Sequence, residues 1–192
     1  MGHYFTNDHL ESNIEKFNIK IFDHEFTFNT DNGVFSKGEL DYGSRLLIEN
    51  VLPIVNGKVL DLGCGYGPIG IMINKVTNSE VLMVDVNRRA VHLANMNIKE
   101  NRLSNISAIV SDGFENVSLK FDYIVTNPPI RVGKEILYKL ITSCKNYLNE
   151  NGEIYLVIRK QQGANSFMKD MSELFDVKVI DKSKGFLIIC LK

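Results

Sequence analysis

Residues 59–70 read VLDLGCGYGPIG, and this stretch decides the fold. Its first four residues, apolar apart from Asp61, predict a buried strand, and alternate glycines follow it as a turn. Pro68 suits the first position of a helix, where its missing N–H would be unpaired in any case. A strand, a glycine turn and a helix in this order are typical of the nucleotide-handling start of a doubly wound α/β fold.

The glycine pattern alone leaves two kinds of nucleotide site open. Gly65-x-Gly67-x-x-Gly70 also fits the fingerprint of dinucleotide-binding proteins, in which this turn holds a pyrophosphate. Asp61, however, lies at the end of the strand, two residues before the first glycine. A carboxylate at this place suits an ammonium group, for which a pyrophosphate site has no use. The alternative is that Asp61 caps the helix that follows.

Composition and length limit the class of protein. The chain has 192 residues, 44% of them hydrophobic, and a net charge of −1. We expect a single domain over residues 1–192, with residues 1–57 as an N-terminal extension and 58–192 as the core. The sequence shows no membrane-spanning run, no signal peptide and no metal-ligand spacing of cysteines, so we expect a cytoplasmic protein without a metal. Any nucleic-acid surface must be a local basic patch.

Hydrophobic periodicity predicts the order of the other elements. A β-hairpin is expected within residues 17–29 and a helix from about 41 to 52. The predicted strands cover residues 58–62, 80–84, 106–110, 121–126, 153–158, 177–180 and 185–191. The predicted helices cover residues 68–76, 88–100 and 133–148, with another that ends near 175. The predicted fold is therefore α/β and Rossmann-like, a mostly parallel seven-stranded sheet with an antiparallel last strand, plus the N-terminal hairpin and helix.

Polar residues follow the ends of the predicted strands, where an open α/β sheet binds its ligand. They are Asp61, Asp85, Asp112, Asn127 and Arg159. An acid at position 85 suits the two hydroxyls of a ribose, unless it only closes its strand. Asp112 suits an adenine amino group, with a turn-forming role beside Gly113 as the alternative.

Asn127-Pro128-Pro129 is the most specific feature of the sequence. Two consecutive prolines donate no backbone hydrogen bonds and stiffen the chain. They hold the Asn127 side-chain oxygen and the Pro128 carbonyl as two fixed acceptors. Two such acceptors suit an amine attached to an aromatic ring, because they draw its lone pair out of conjugation and direct it at an electrophile. The alternative is a rigid surface turn.

These motifs resemble those of class I S-adenosylmethionine-dependent methyltransferases. The glycine motif is Asp61-x-Gly63-x-Gly65-x-Gly67, and Asn127-Pro128-Pro129 is similar to the signature of the branch that methylates exocyclic amines. More narrowly, the chain is similar to the RsmC-like guanine-N2 methyltransferases of small-subunit ribosomal RNA. That similarity adds residues 33–36 (GVFS), 40–43 (LDYG) and 159–164 (RKQQGA).

The resemblance implies a cofactor, S-adenosyl-L-methionine, and a set of site residues. Catalysis is expected at Asn127, Pro128 and Pro129, which hold the target amine. The expected cofactor-binding residues are Asp61, Gly63, Cys64, Gly65, Gly67, Asp85, Val86, Asp112, Gly113, Phe114 and Asn127. For Phe114, packing on the adenine and a place in the core are both open.

The resemblance also implies ribosomal RNA or the small ribosomal subunit as the partner. The expected substrate-binding residues are Phe35, Lys37, Ile130, Arg131, Lys134, Arg159 and Lys160. Position 130 is Ile where many amine methyltransferases have an aromatic residue that stacks on the base. For the basic residues among them, an ordinary solvated surface is the alternative to phosphate binding.

Three other functions are compatible with parts of the pattern. An adenine-N6 or a protein-glutamine methyltransferase would use the same Asn-Pro-Pro turn. An NAD-dependent oxidoreductase would use Gly65-x-Gly67-x-x-Gly70, but it leaves Asp61 and the Asn-Pro-Pro turn without a role. A non-catalytic RNA-binding module would keep the fold without needing Asp61, Asp85 and Asn127.

Overall fold

A computed structural model describes residues 10–129 and 133–192, which form a two-stranded hairpin, a central sheet and five α-helices. The strands are β1 (Glu15–Ile21), β2 (His24–Thr30), β3 (Lys58–Leu62), β4 (Glu80–Asp85), β5 (Ile106–Val110), β6 (Phe121–Thr126), β7 (Leu148–Arg159), β8 (Val177–Ser183) and β9 (Phe186–Leu191). The helices are α1 (Tyr42–Val51), α2 (Pro68–Thr77), α3 (Arg88–Glu100), α4 (Lys134–Cys144) and α5 (Ala164–Met171). Within the described ranges, no helix has the length and apolar character needed to cross a bilayer.

The central sheet confirms the predicted fold class. Its seven strands lie in the order β5-β4-β3-β6-β7-β9-β8. The first five pair in parallel, whereas β9, the last strand of the chain, runs antiparallel to both β7 and β8. Parallel strands place their carboxyl ends at one edge, so this topology brings the predicted strand-end residues to the same side of the molecule.

Alternating residues of β3 contribute to the two faces of the sheet. Val59 belongs to a core that also contains residues of α1, α2, α3 and the hairpin. Leu60 and Leu62 belong to a second core, which α4 and α5 complete. By the same alternation, Asp61 lies on the face of Val59, under α2. The acid of the glycine motif is therefore placed against the start of that helix.

The N-terminal hairpin is fastened to α3 by buried amides. The backbone N–H of Asn29 donates to Asn97 Oδ1 at 2.7 Å, and Asn97 Nδ2 donates to the carbonyls of Asn29 and Tyr66 at 3.0 and 2.9 Å. The ring of Tyr66 lies edge-on to Phe17 and Phe28 of the hairpin. The hairpin is thus connected directly to the glycine turn, which contains Tyr66.

Several element boundaries differ from the predicted ones. The fourth helix was predicted to reach residue 148 but ends at Cys144, and a 3-10 turn over residues 145–147 follows. Leu148 is instead the first residue of β7 and pairs with Phe121. The predicted boundary is wrong because apolar spacing alone does not distinguish the end of a helix from the start of a strand. The helix predicted to end near 175 stops at Met171, and β8 extends to Ser183.

The three cysteines are buried thiols without a disulfide, at positions 64, 144 and 190. They pack as small apolar side chains. Burial also raises the pKa of the Cys64 thiol well above its usual range, with the charges of Asp61 and Asp85 acting in the same direction. In the described part of the chain, no group of three or more His, Cys, Asp or Glu side chains is placed to hold a metal ion.

Two glycines let α2 approach β4. A Cβ atom on Gly70 would lie 2.6 Å from Met83 Sδ and 2.7 Å from its Cγ. A Cβ on Gly67 would lie 3.1 to 3.2 Å from the side chains of Ile71, Met83 and Ala94. Packing inside the protein therefore requires Gly70, and at Gly67 the φ angle of 90° adds to these close contacts.

We expect Gly70→Ala to destabilise the protein. Alanine favours a helix over glycine by about 1 kcal/mol, but overpacking a close-packed core typically costs about 1–3 kcal/mol. The overlap with the fully buried Met83 is severe, so the second effect should dominate. Urea unfolding of the variant measures the difference in free energy.

Shortening Met83 gives the matched control. In a Met83→Ala background, Gly70→Ala should cost less than it does in the wild type, because the overlapping atoms are gone. Equal costs in the two backgrounds, or a more stable single variant, would contradict the packing explanation.

Candidate active site

The carboxyl edge of the sheet gathers the predicted strand-end residues. Asp61 lies within β3, Asp85 is the last residue of β4, and Arg159 is the last residue of β7. Asp112 follows β5 by two residues and Asn127 follows β6 directly. The candidate site is built along this edge.

The first two glycines of the turn face open space. Gly63 and Gly65 have φ angles of 75° and 57°, in the left-handed region, and a Cβ on either would meet no atom within 4 Å. The turn is held in place by Gly63 N and Cys64 N, which both donate to the Val84 carbonyl at 2.9 Å. A ligand can therefore approach the backbone at Gly63 and Gly65, in contrast to Gly67 and Gly70.

Asp61 connects the end of β3 to the start of α2. Its Oδ2 atom accepts a hydrogen bond from Gly70 N at 2.8 Å, and the residue is 0% exposed. Asp61 therefore accepts a hydrogen bond from the first turn of α2, as the capping alternative predicts. Its Oδ1 atom is buried and has no hydrogen-bond partner among the described residues. Contact between this oxygen and an ammonium group stays a prediction.

Asp85 fastens the glycine turn to the start of α3. One carboxylate oxygen accepts from Gly65 N and the other from Asn87 N, each at 2.8 Å. Burial raises the pKa of the Asp85 carboxyl, against the hydrogen bonds from Asn87, Gly65 and Val86, which lower it. The ribose contact predicted for Asp85 stays a prediction, whereas its support of the turn is visible in the structure.

The segment after β5 combines an exposed acid with a packed ring. Asp112 is exposed, and Gly113 has a φ of 54°. The Phe114 ring stacks on Tyr147, with 4.2 Å between centroids and 11° between planes, and packs on the core beneath α4. Phe114 was expected either to pack on the adenine or to belong to the core, and the structure shows the core contact.

Asn127 has a defined side-chain orientation. Its Nδ2 atom donates to Ser44 Oγ at 2.9 Å and to Asp41 Oδ2 at 3.2 Å, at the start of α1. No described residue donates to its Oδ1 atom. Pro128 is buried and Pro129 is exposed. The side-chain oxygen of Asn127 is therefore the group that remains for a ligand.

The predicted substrate-binding residues are not all alike in their surroundings. The Phe35 side chain is 51% exposed. Lys37 pairs with Glu15 at 2.8 Å, and Lys134 pairs with Asp170 at 2.9 Å. Ile130 and Arg131 lie outside the described residues. Lys37 and Lys134 thus have acidic partners within the protein.

Arg159 and Lys160 lie at the end of β7 beside the β8–β9 turn. The Arg159 guanidinium lies over the Phe186 ring, 4.5 Å from its centroid, and Lys160 N donates to the Gly185 carbonyl at 2.8 Å. Lys184, in that turn, lies over the Tyr42 ring at 4.6 Å. The sequence did not predict that Lys184 lies at this edge, because no local pattern shows where the turn between β8 and β9 is placed in the fold.

Sequence analysis also missed Ser44 and the second role of Asp41. Asp41 caps α1, because its side chain accepts a hydrogen bond from Ser44 N at 2.9 Å. The same carboxylate oxygen reaches Asn127. The one available signal was the 40–43 motif, which the resemblance marked without assigning it a role.

Comparison with known proteins gives a family match over most of the chain. Residues 25–190 match the methyltransferase small domain family. The uncharacterized protein YbxB of Bacillus subtilis is 42% identical, with 99% of this chain and 98% of YbxB covered. The ribosomal RNA small subunit methyltransferase C of Haemophilus influenzae is also 42% identical, over 71% of this chain but only 41% of that protein.

A solved structure resembles this one closely. The T. thermophilus 16S rRNA N2 methyltransferase RsmC, in complex with AdoMet and guanosine, superposes with a TM-score of 0.84 at 26% identity. The match covers 93% of this chain and 50% of that chain. This chain therefore spans half the length or less of the H. influenzae and T. thermophilus proteins.

The burial of Asp61 predicts a pH-dependent stability. Burial raises the pKa of Asp61 to about 7; the Gly70 N–H opposes this shift and the Asp85 charge adds to it. The folded protein then binds a proton more tightly than the unfolded chain does. Stability should fall as pH rises from about 4 to about 7, by at most about 1.4 kcal/mol per pH unit from this group.

Asp61→Asn should remove this contribution, because the amide keeps an acceptor for Gly70 N but does not titrate. Urea unfolding of both proteins at several pH values between about 4 and about 7 measures the difference. The stability of the wild type relative to the variant should decrease with pH. A difference that is constant, or that grows with pH, would contradict the assignment.

Proposed function

Because the chain belongs to the methyltransferase small domain family, we propose that it transfers a methyl group from S-adenosylmethionine to the N2 amine of a guanine in small-subunit ribosomal RNA. The observation that carries the proposal is the Asn127 amide, which is held by its nitrogen and leaves its oxygen for a donor. The names of the H. influenzae and T. thermophilus relatives support the choice of substrate.

The residues of the carboxyl edge fit S-adenosylmethionine. Gly63 and Gly65 leave space where side chains would otherwise stand. Asp61 Oδ1, buried without a described partner, is an acceptor suited to the amine of the methionine part. Asp85 and the exposed Asp112 offer carboxylates for the ribose and the adenine. When bound, the cofactor supplies the electrophilic methyl group.

The chain itself positions the amine that receives the methyl group. The Asn127 oxygen and the Pro128 carbonyl each accept one N–H of the guanine amine. Holding both hydrogens out of the plane of the ring draws the nitrogen lone pair out of conjugation. The lone pair then points to one side, toward the methyl group. This contribution is positioning and electrostatic preorganisation and needs no strong base.

The rival substrates are distinguished by where the methyl group arrives. Purified protein is incubated with radiolabelled S-adenosylmethionine and with small ribosomal subunits from cells that lack this protein. The labelled product is then mapped by mass spectrometry. The proposal expects label on the N2 of one guanine. Label on an adenine N6 or on a glutamine side chain would contradict the proposed substrate, and binding of NAD in place of S-adenosylmethionine would contradict the proposed class.

We expect Asn127→Ala to lower the single-turnover rate of methyl transfer by roughly a hundredfold or more, the usual effect of losing one preorganised group. Asp61 and Asp85 are expected to hold the cofactor independently of the Asn127 side chain, so calorimetry should show little change in the affinity for S-adenosylmethionine. RNA affinity should change little, because phosphate contacts dominate it. Asn127→Asp keeps an acceptor oxygen and should retain more activity than the alanine variant.

Asn56→Ala is a matched control for Asn127→Ala, since Asn56 is exposed just before β3, at the opposite edge of the sheet. It should transfer methyl at the wild-type rate. A wild-type rate for Asn127→Ala as well would mean that the Asn-Pro-Pro turn is only structural.

Arg159 and Lys160 are expected to contact phosphate groups of the RNA. Both are exposed at the candidate site, and among the described residues no acid forms an ion pair with either. Replacing both with Ala should weaken RNA binding and reduce its salt dependence, by about two in the slope of log K against log salt. Cofactor affinity should not change.

The control for this pair is Lys99→Ala with Arg102→Ala. These two residues are also exposed but lie at the C-terminal end of α3, away from the carboxyl edge. Their replacement should leave the salt slope nearly as in the wild type. An equal change for both pairs would place the RNA-binding surface elsewhere.

A further inference from the structure

We propose that Asp41 and Ser44, from the N-terminal extension, are positioning residues for Asn127, and that they orient and polarise its amide for methyl transfer. This inference rests on the proposed function and assigns a role in it to α1. The Asn127 nitrogen lies 2.9 Å from Ser44 Oγ and 3.2 Å from Asp41 Oδ2. The three residues form the Asn127 clamp.

The chemistry of Asp41 fixes which way the amide faces. An ionised carboxylate only accepts hydrogen bonds, so it pairs with the NH₂ group of Asn127 and repels its carbonyl oxygen. Rotating the amide by half a turn would bring the Asn127 oxygen against the Asp41 carboxylate and lose that bond, whereas the Ser44 hydroxyl could donate in place of accepting. Oδ1 of Asn127 must therefore face away from α1. That orientation is the one in which it can accept an N–H of the target amine.

The charge of Asp41 also strengthens Asn127 as an acceptor. Hydrogen bonds to an ionised partner are roughly twice as strong as neutral ones, and linked hydrogen bonds polarise one another. Electron density drawn from the amide nitrogen toward its carbonyl oxygen makes that oxygen a better acceptor. Ser44 is buried and Asn127 is half-buried, so water competes weakly with these bonds.

The start of α1 is held firmly enough to serve as a clamp. Asp41 caps the helix through Ser44 N, and Tyr42 Oη lies 2.7 Å from Ser183 Oγ of β8. A Cβ on Gly43 would lie 2.8 Å from the Phe186 ring, so the glycine permits this close approach to β9. The clamp is thus supported by the sheet and does not depend on a mobile loop.

A double-mutant cycle between Ser44→Ala and Asn127→Ala tests the catalytic part. Loss of one hydrogen bond to the amide should lower the single-turnover rate about tenfold with saturating cofactor and RNA. If Ser44 acts through Asn127, Ser44→Ala should have no further effect in the Asn127→Ala background. The affinities for S-adenosylmethionine and RNA should stay at wild-type values. Multiplicative losses in the double variant would indicate a structural role and overturn the inference.

Asp41→Asn separates charge from capping. Asparagine is as good a helix cap as aspartate, so α1 should stay folded, as circular dichroism and thermal unfolding can verify. The rate of methyl transfer should fall several-fold because the amide is less polarised. A wild-type rate in this folded variant would overturn the role of the Asp41 charge.

Nuclear magnetic resonance tests the contacts without any substrate. The side-chain amide signals of Asn127 are assigned in ¹⁵N-labelled protein by their loss in Asn127→Ala. They should shift in Ser44→Ala and in Asp41→Asn, but not in Ser172→Ala, whose exposed hydroxyl donates only to the Lys169 carbonyl. Unshifted signals in the first two variants would overturn the inference alone. The signals could instead shift in these two variants while the wild-type protein transfers no methyl group. That outcome would overturn the proposed function, and with it the catalytic part of the inference.

Discussion

The hydrogen bond from Gly70 N to the buried carboxylate of Asp61 is the contact on which the site depends. It joins the end of β3 to the first turn of α2, across a loop in which every second residue is glycine. Burial of this acid is costly and raises its pKa, and the hydrogen bond from Gly70 N opposes that shift because it stabilises the carboxylate. The same contact holds the start of α2 against β3, beside the turn in which Gly63 and Gly65 face open space.

The glycines of this turn divide into two groups by what surrounds them. Gly67 and Gly70 are required because α2 lies against Met83. A Cβ on Gly63 or Gly65 would meet no atom within 4 Å, so the space beside their backbone is open to a ligand. The dinucleotide fingerprint that begins at Gly65 therefore includes two positions that helix packing already explains. Packing of the third glycine is itself part of that fingerprint, but its second glycine, Gly67, lies against side chains where the fingerprint needs an open backbone for the pyrophosphate.

The N-terminal extension contributes contacts to the carboxyl edge of the sheet. Its hairpin is connected through Asn97 to Tyr66 in the glycine turn, and α1 reaches Asn127 at the end of β6. Both the glycine turn, which we propose for the cofactor, and Asn127, which we propose for the amine, are thus supported by residues that precede β3. The basic residues near this edge also differ in their partners: Lys37 and Lys134 form ion pairs with acids, whereas Arg159 lies over an aromatic ring.

The sequence by itself determined the order of strands and helices, the fold class, the glycine turn and the Asn-Pro-Pro turn. These features are local, because they depend on apolar periodicity and on the backbone limits of glycine and proline. Tertiary structure alone decided that Asn127 is bonded to Ser44 and Asp41, which are 83 and 86 residues away in the chain. It also decided that Phe114 stacks on Tyr147. Contacts of this kind arise only when the sheet brings distant segments together, and no local pattern encodes them.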